Sequence, residues 1–170
     1  GVDLARGGAG NVTSLGWVGN DLLFGDDGDD TINGQGDNDE LFGWIGNDNL
    51  SGDDGNDKLF GQMGDDVMSG GEGDDLLLGG LGNDTMVGGG GADRFEFFAD
   101  DFTPGSRDVS ADYDAADTYA FKGHTNLGSV NVTALGPDAR MTVTLGDGSA
   151  SIIDVFGATV ADVNANIVFF

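Results

Sequence analysis

Nine aspartates return at a fixed interval along this chain: Asp21, Asp30, Asp39, Asp48, Asp57, Asp66, Asp75, Asp84 and Asp93. Each stands sixth in a nine-residue unit of the form Gly-Gly-x-Gly-x-Asp-x-(apolar)-x, and the units run over residues 16–96 without an insertion. A carboxylate offers only oxygen acceptors, and glycine-rich turns leave main-chain carbonyls uncovered. A repeat that supplies both, at regular spacing, is an all-oxygen donor set suited to a hard cation.

Such a donor set works only if a scaffold stacks the units. A nonapeptide period with glycine at the turns, a carboxylate and one apolar residue is the pattern of a parallel β-roll, each unit giving a turn and a short strand formed by its last three residues. A Gly/Asp-rich disordered tail has a similar composition. The eighth position separates the two: Leu23, Ile32, Leu41, Leu50, Leu59, Met68, Leu77, Met86 and Phe95 keep register, which a solvated tail has no reason to do.

Two units make one coil, so residues eighteen apart stack about 4.8 Å from each other. The ninth position shows this longer period, reading Phe24, Phe42, Phe60 and Leu78 on alternate units and Asn33, Ser51, Ser69 and Val87 between them. One face therefore carries an apolar stripe and the other is mostly polar. The aspartates divide likewise, with Asp21, Asp39, Asp57, Asp75 and Asp93 on one edge and Asp30, Asp48, Asp66 and Asp84 on the other.

Carboxylates about 5 Å apart repel by roughly 1 kcal/mol per pair even in water, so a cation is expected between successive rungs. Calcium accepts six to eight oxygens in a flexible geometry, whereas magnesium keeps its waters and a site without Cys or His offers little to zinc. One ion per gap gives about seven Ca2+. Each coil buries only two apolar side chains against the ordering of eighteen residues, so metal binding is expected to drive folding. Without calcium the repeats should be an expanded acidic coil.

These residues resemble the repeats-in-toxin (RTX) calcium-binding proteins of Gram-negative bacteria. Gly-Ala-Asp-Arg-Phe-Glu-Phe at 91–97 looks like that family's exit from the roll. Asp108-Val-Ser-Ala-Asp112-Tyr113, followed by Asp117-Thr-Tyr119-Ala-Phe121, resembles a segment found in serralysin-type protease C-terminal domains and alginate epimerase R-modules, with Ser110 where the family prefers Ile. The resemblance implies a right-handed parallel β-roll, and a shell of turn carbonyls and two stacked aspartates around each ion. It adds Asp3, Asp108, Asp112 and Asp117 as candidate metal ligands. Three units depart from the pattern: Trp17 and Trp44 replace the second glycine, and Gly34-Gln35-Gly36-Asp37 puts Asp37 at the fourth.

Length and composition agree. The 170 residues amount to about one domain, and 31 acidic against 6 basic residues give a net charge of −25. Such a surface disfavours nucleic acid and anionic membranes as partners. There is no Cys, no apolar run long enough to span a membrane and no N-terminal secretory pattern. Residues 1–15 are in phase as a degenerate part of the array, with Val12 at an Asp position, so the chain is expected to be the C-terminal part of something longer. The organisation expected is a roll over residues 1–97 and a β cap over 98–170. The cap would contain strands at 130–135, 141–145 and 151–156, turns at 104–105, 136–138 and 146–148, and a last strand in 162–170.

No catalytic motif is present: neither a zinc-protease helix, nor a nucleophile elbow, nor a phosphate loop. The single histidine, His124, has no partner pattern around it. By resemblance, such a domain leaves the cell through type I secretion machinery by an uncleaved C-terminal signal, folds on calcium outside, and supports an upstream domain. The alternative is a calcium-dependent polysaccharide-binding module. Its contact face would be Phe24, Phe42, Phe60 and Leu78, with Lys58 and Arg94 beside them.

Overall fold

The computed structural model describes residues 1–98, 101, 106–113, 115–122, 127–135, 138–145, 150–156 and 158–169. His124 and the turns read at 104–105, 136–137 and 146–148 lie outside them. The repeats form strands β1 (Leu4–Ala9), β2 (Thr13–Val18), β3 (Leu22–Asp27), β4 (Thr31–Gly36), β5 (Glu40–Ile45), β6 (Asn49–Asp54), β7 (Lys58–Met63), β8 (Val67–Glu72), β9 (Leu76–Leu81), β10 (Thr85–Gly90) and β11 (Arg94–Phe98). Odd strands stack in parallel in one sheet and even strands in a second. Every pairing within the repeats joins residues eighteen apart, as in Leu23 with Leu41 and Leu41 with Leu59. This is a parallel β-solenoid, nearly all-β.

The strands are six residues long, not three. The first half of each turn also pairs with the next rung: Asp26 aligns with Trp44 and Asp27 with Ile45, and Gly46 N–H donates to the Met63 carbonyl at 2.9 Å. The second residue of each unit makes this continuation by taking a left-handed backbone. Six units place a side chain there: Trp17 (φ 73°), Asp26 (72°), Gln35 (77°), Trp44 (81°), Asp53 (72°) and Gln62 (83°). Departures at the second position are thus twice as common as Trp17, Trp44 and Gln35 alone indicate. Each costs on the order of 1 kcal/mol relative to glycine, which interrung pairing offsets. The fourth residue is more constrained. A Cβ on Gly46 would lie 2.1 Å from the Gly28 carbonyl oxygen, and Asp37, at φ 73°, is the exception among the units.

The eighth-position residues fill the space between the sheets, all of them 0–1% exposed. The core then runs on without a break. Strands β12 (Arg107–Ser110) and β13 (Thr118–Lys122) join the even and odd sheets in parallel, but their partners lie twenty-four residues back: Met86 pairs with Ser110 and Phe95 with Tyr119. One coil is therefore six residues longer than the others, with phase preserved. Ser110 occupies an inward position, and its small side chain is complemented by Tyr119, whose hydroxyl donates to Ser110 Oγ at 3.0 Å.

Strands β14 (Leu127–Leu135), β15 (Asp138–Leu145) and β16 (Ala150–Val155) form an antiparallel meander that extends the even sheet through β12. The last segment is not one strand. Helix α1 (Val160–Ala165) begins at a capping box between Thr159 and Asp162, a local signal that overrides the apolar run after it. Strand β17 (Ile167–Phe169) then pairs with β13 and closes the odd sheet.

Candidate metal centre

Each sixth-position aspartate opens a strand and turns its carboxylate under the turn of the preceding rung. One oxygen is held by backbone: Asp39 Oδ1 accepts the Asp21 N–H at 2.7 Å, Asp57 Oδ1 that of Asp39 at 2.7 Å, and Asp75 Oδ1 that of Asp57 at 2.8 Å. The other edge repeats this, with Asp30 N–H to Asp48, Asp48 to Asp66 and Asp66 to Asp84 at 2.8–2.9 Å. The second oxygen, Oδ2, is buried without a hydrogen-bond partner in all nine aspartates.

These orphaned oxygens share a location. A Cβ on Gly43 would lie 2.3 Å from Asp48 Oδ2 and 2.8 Å from the Gly61 carbonyl oxygen, and one on Gly52 would lie 2.2 Å from Asp57 Oδ2 and 2.6 Å from the Gly70 carbonyl. Carboxylate and next-rung carbonyl thus converge where only a first-position glycine leaves room. Among the described residues no three carboxylate side chains meet at a point, so a cation here would be held by stacked aspartates and carbonyls. That is an oxygen set fitting calcium.

The aspartates resist ionisation in this setting. Burial, the largest cause, raises Asp66 and Asp75 from 3.8 to about 7, and Asp57, Asp84 and Asp93 to about 6; Asp39 and Asp48 are raised as well. Backbone N–H donation lowers each value and neighbouring carboxylates raise it. Desolvation therefore exceeds the mutual repulsion that the spacing alone suggests.

Asp108 and Asp117 join the ladders across the longer coil: Asp108 Oδ1 accepts the Asp84 N–H at 3.1 Å and Asp117 Oδ1 the Asp93 N–H at 3.0 Å. Asp108 is raised to about 7 by burial. Asp3 starts the other end, its backbone N–H donating to Asp21 Oδ1 at 2.5 Å in a part-buried bond. Asp112 takes a different part. Its two oxygens accept the Gly88 and Gly89 N–H groups at 2.9 and 2.8 Å, capping the last repeat's turn.

A second ladder runs outside the first. Fifth-position Asn and Asp side chains accept the N–H of the next rung, as in Asn38 to Asn20 at 3.3 Å, Asn56 to Asn38 at 2.8 Å and Asp74 to Asn56 at 3.1 Å. It points opposite to the inner ladder, so every turn is tied in both directions. The run Asn20, Asp29, Asn38, Asn47, Asn56, Asp65, Asp74, Asn83 was visible in the sequence, but without a strand register it had no meaning.

On the odd sheet's outer face, Phe24, Phe42 and Phe60 stack on each other with ring centroids 5.0 and 4.7 Å apart. This stacking covers four of their six ring faces, and Arg6 lies over Phe24. Lys58 pairs with Glu40 at 2.6 Å, while Arg94 and Lys122 hold the buried Glu96 at 2.7 and 2.6 Å. Leu78 joins Trp44, Ile45, Met63 and Leu81 in lining an apolar groove of about 390 Å3.

Residues 18–50, 45–77 and 60–95 match the family model of the RTX calcium-binding nonapeptide repeat. Residues 18–95 are RTX repeats. Repeats of this kind bind calcium, which agrees with the orphaned oxygens. The AlgE6R2 subunit of the Azotobacter vinelandii mannuronan C5-epimerase is similar in structure at 28% identity and a TM-score of 0.50, over 72% of this chain and 88% of that one. The AlgE6R3 subunit of the same epimerase gives 27% identity and 0.37 over 88% and 79%. The extracellular lipase LipA of Serratia marcescens gives 19% and 0.42 over 98% of this chain and 38% of the lipase. No curated protein matches.

The raised pKa values fix how the cation-free RTX roll should respond to pH. Ionising these carboxylates is harder in the roll than in the coil, so their contribution to stability without metal is fully present below 3.8 and is lost as pH rises through about 7. In chelator, the far-UV β signal is expected to grow as pH falls from about 8 to about 4. A signal that stays flat over that range would contradict the burial of the ladder.

Proposed function

We propose that this chain is a noncatalytic calcium-binding module of a larger secreted bacterial protein. It folds on meeting calcium outside the cell, and it supports both type I export and the stability of a domain upstream. The observation that carries this reading is the set of nine buried Oδ2 atoms without a donor, in two columns. A bound calcium ion neutralises the carboxylates and supplies the missing partner. The chain's own residues do the rest: first-position glycines admit the ion's space, the inner N–H bonds aim the carboxylates, and the outer Asx ladder fixes the turns.

Seven gaps lie between the nine repeat aspartates, and Asp84 to Asp108 and Asp93 to Asp117 add two of the same construction. The RTX repeats and the longer coil would then form one metal column. In export, β17 completes a sheet whose strands need the calcium-bound roll, so a chain held unfolded at low calcium would present its C-terminal residues free. No helix among the described residues is long and apolar enough to cross a membrane. The alternative of a polysaccharide-binding module draws on the likeness to the AlgE6R2 subunit. Against it, four of the six phenylalanine ring faces are occupied by each other.

Calorimetric titration is expected to count about nine calcium ions, falling to about seven when Asp108→Ala and Asp117→Ala are combined. An unchanged count would remove the longer coil from the metal column. For export, a passenger fused ahead of the chain should reach the medium of cells with a type I exporter and stay inside when residues 158–170 are deleted. Equal export with and without those residues would refute the C-terminal role.

A further inference from the structure

The two outer faces of the roll differ. The even sheet shows Asn33, Ser51 and Ser69 at the ninth position, whereas the odd sheet shows Phe24, Phe42, Phe60 and Leu78, continuous with exposed Trp44, Ile45, Met63 and Leu81. Ile45 and Met63 are 47% and 51% exposed, adjacent in register and on the same groove. An apolar face on a chain otherwise so acidic marks a contact surface.

The order of residues on this face identifies the occupant. A two-fold axis along the strands, midway between β5 and β7, sets each column against itself with the rungs reversed. Glu40 then meets the partner's Lys58, Phe42 the partner's Phe60, Ile45 the partner's Met63, and Leu22 the partner's Leu76, each pairing occurring twice. At the ends the same axis sets β1 against the partner's β11, with Arg6 opposite the partner's Glu96. Self-complementarity of this kind is what an isologous interface requires, and a register shifted by one rung would oppose Lys58 to itself.

We propose that the odd-sheet face is a homodimer interface, with the calcium-loaded chain pairing through a second copy in antiparallel stacking. Glu40 and Lys58, which pair within one chain at 2.6 Å and remain about half exposed, become a ring of four alternating charges at its centre. Six rungs, β1 to β11, about 4.8 Å apart and strands of six residues give a face of roughly 20 by 24 Å. Two such faces bury on the order of 1,000 Å2, the lower end for a specific interface, so the dimer is weak and concentration-dependent.

The test is sedimentation equilibrium of the full chain in calcium, from micromolar to submillimolar protein, with circular dichroism to establish that each sample is folded. The parent chain is expected to dimerise, and Glu40→Lys or Lys58→Glu alone to weaken the dimer by about tenfold or more. Mixing the two variants should restore it, because the chain carrying Glu40→Lys then sets two lysines against the two glutamates of the chain carrying Lys58→Glu. A bridge acting only within one chain cannot be rescued by mixing. A folded chain that remains monomeric, or variants that associate like the parent, overturns the proposal. So does a monomer whose Phe42 and Phe60 retain a glycan, which would assign the face to carbohydrate.

Discussion

A buried carboxylate oxygen without a donor is among the least favourable groups a folded chain can hold, and this fold stacks nine of them in two columns. Everything else in the roll follows from that constraint. Glycine stands at the first position because a side chain would meet the carboxylate. The turns stack closely because their carbonyls must stand beside it. The apolar content is confined to one inward residue per strand, too little to order eighteen residues per coil without another source of free energy.

Hydrogen bonds of the folded roll set the geometry of its metal column. One oxygen of each aspartate is fixed by a backbone N–H from the rung before it, and the neighbouring Asn or Asp reaches the other way to the rung after it. These opposed bonds keep adjacent turns in register and leave Oδ2 of each aspartate without a donor. A cation bound there would offset the desolvation that raises the carboxylate pKa values. The hydrogen bonds of Asp108 and Asp117 repeat the pattern across a coil of different length.

What the sequence disclosed was whatever repeats. The aspartate column, the inward eighth residue and the alternation of Phe with Asn or Ser are periodic, and each appears in the structure at the place its period requires. What it concealed depends on contacts between rungs. Six-residue strands arise because left-handed residues such as Asp26 and Gln62 continue the pairing through the turn. The exchange of Ile for Ser110 makes sense only beside Tyr119, and the hold of Asp112 on the Gly88 and Gly89 N–H groups has no periodic sign in the sequence. Mutual coverage of the phenylalanine faces is likewise a property of stacking. The short helix after Thr159 was written in its capping box, but the apolar residues following it read more strongly as strand.

Under the proposed function calcium supplies the free energy of folding. Far-UV circular dichroism of the full chain at neutral pH, followed during addition of calcium to a chelated sample and with magnesium as the control, tests it most directly. A coil in chelator, a cooperative change to β structure with calcium, and no such change with magnesium are expected. A chain already β-structured at neutral pH in chelator, and indifferent to added calcium, would contradict it.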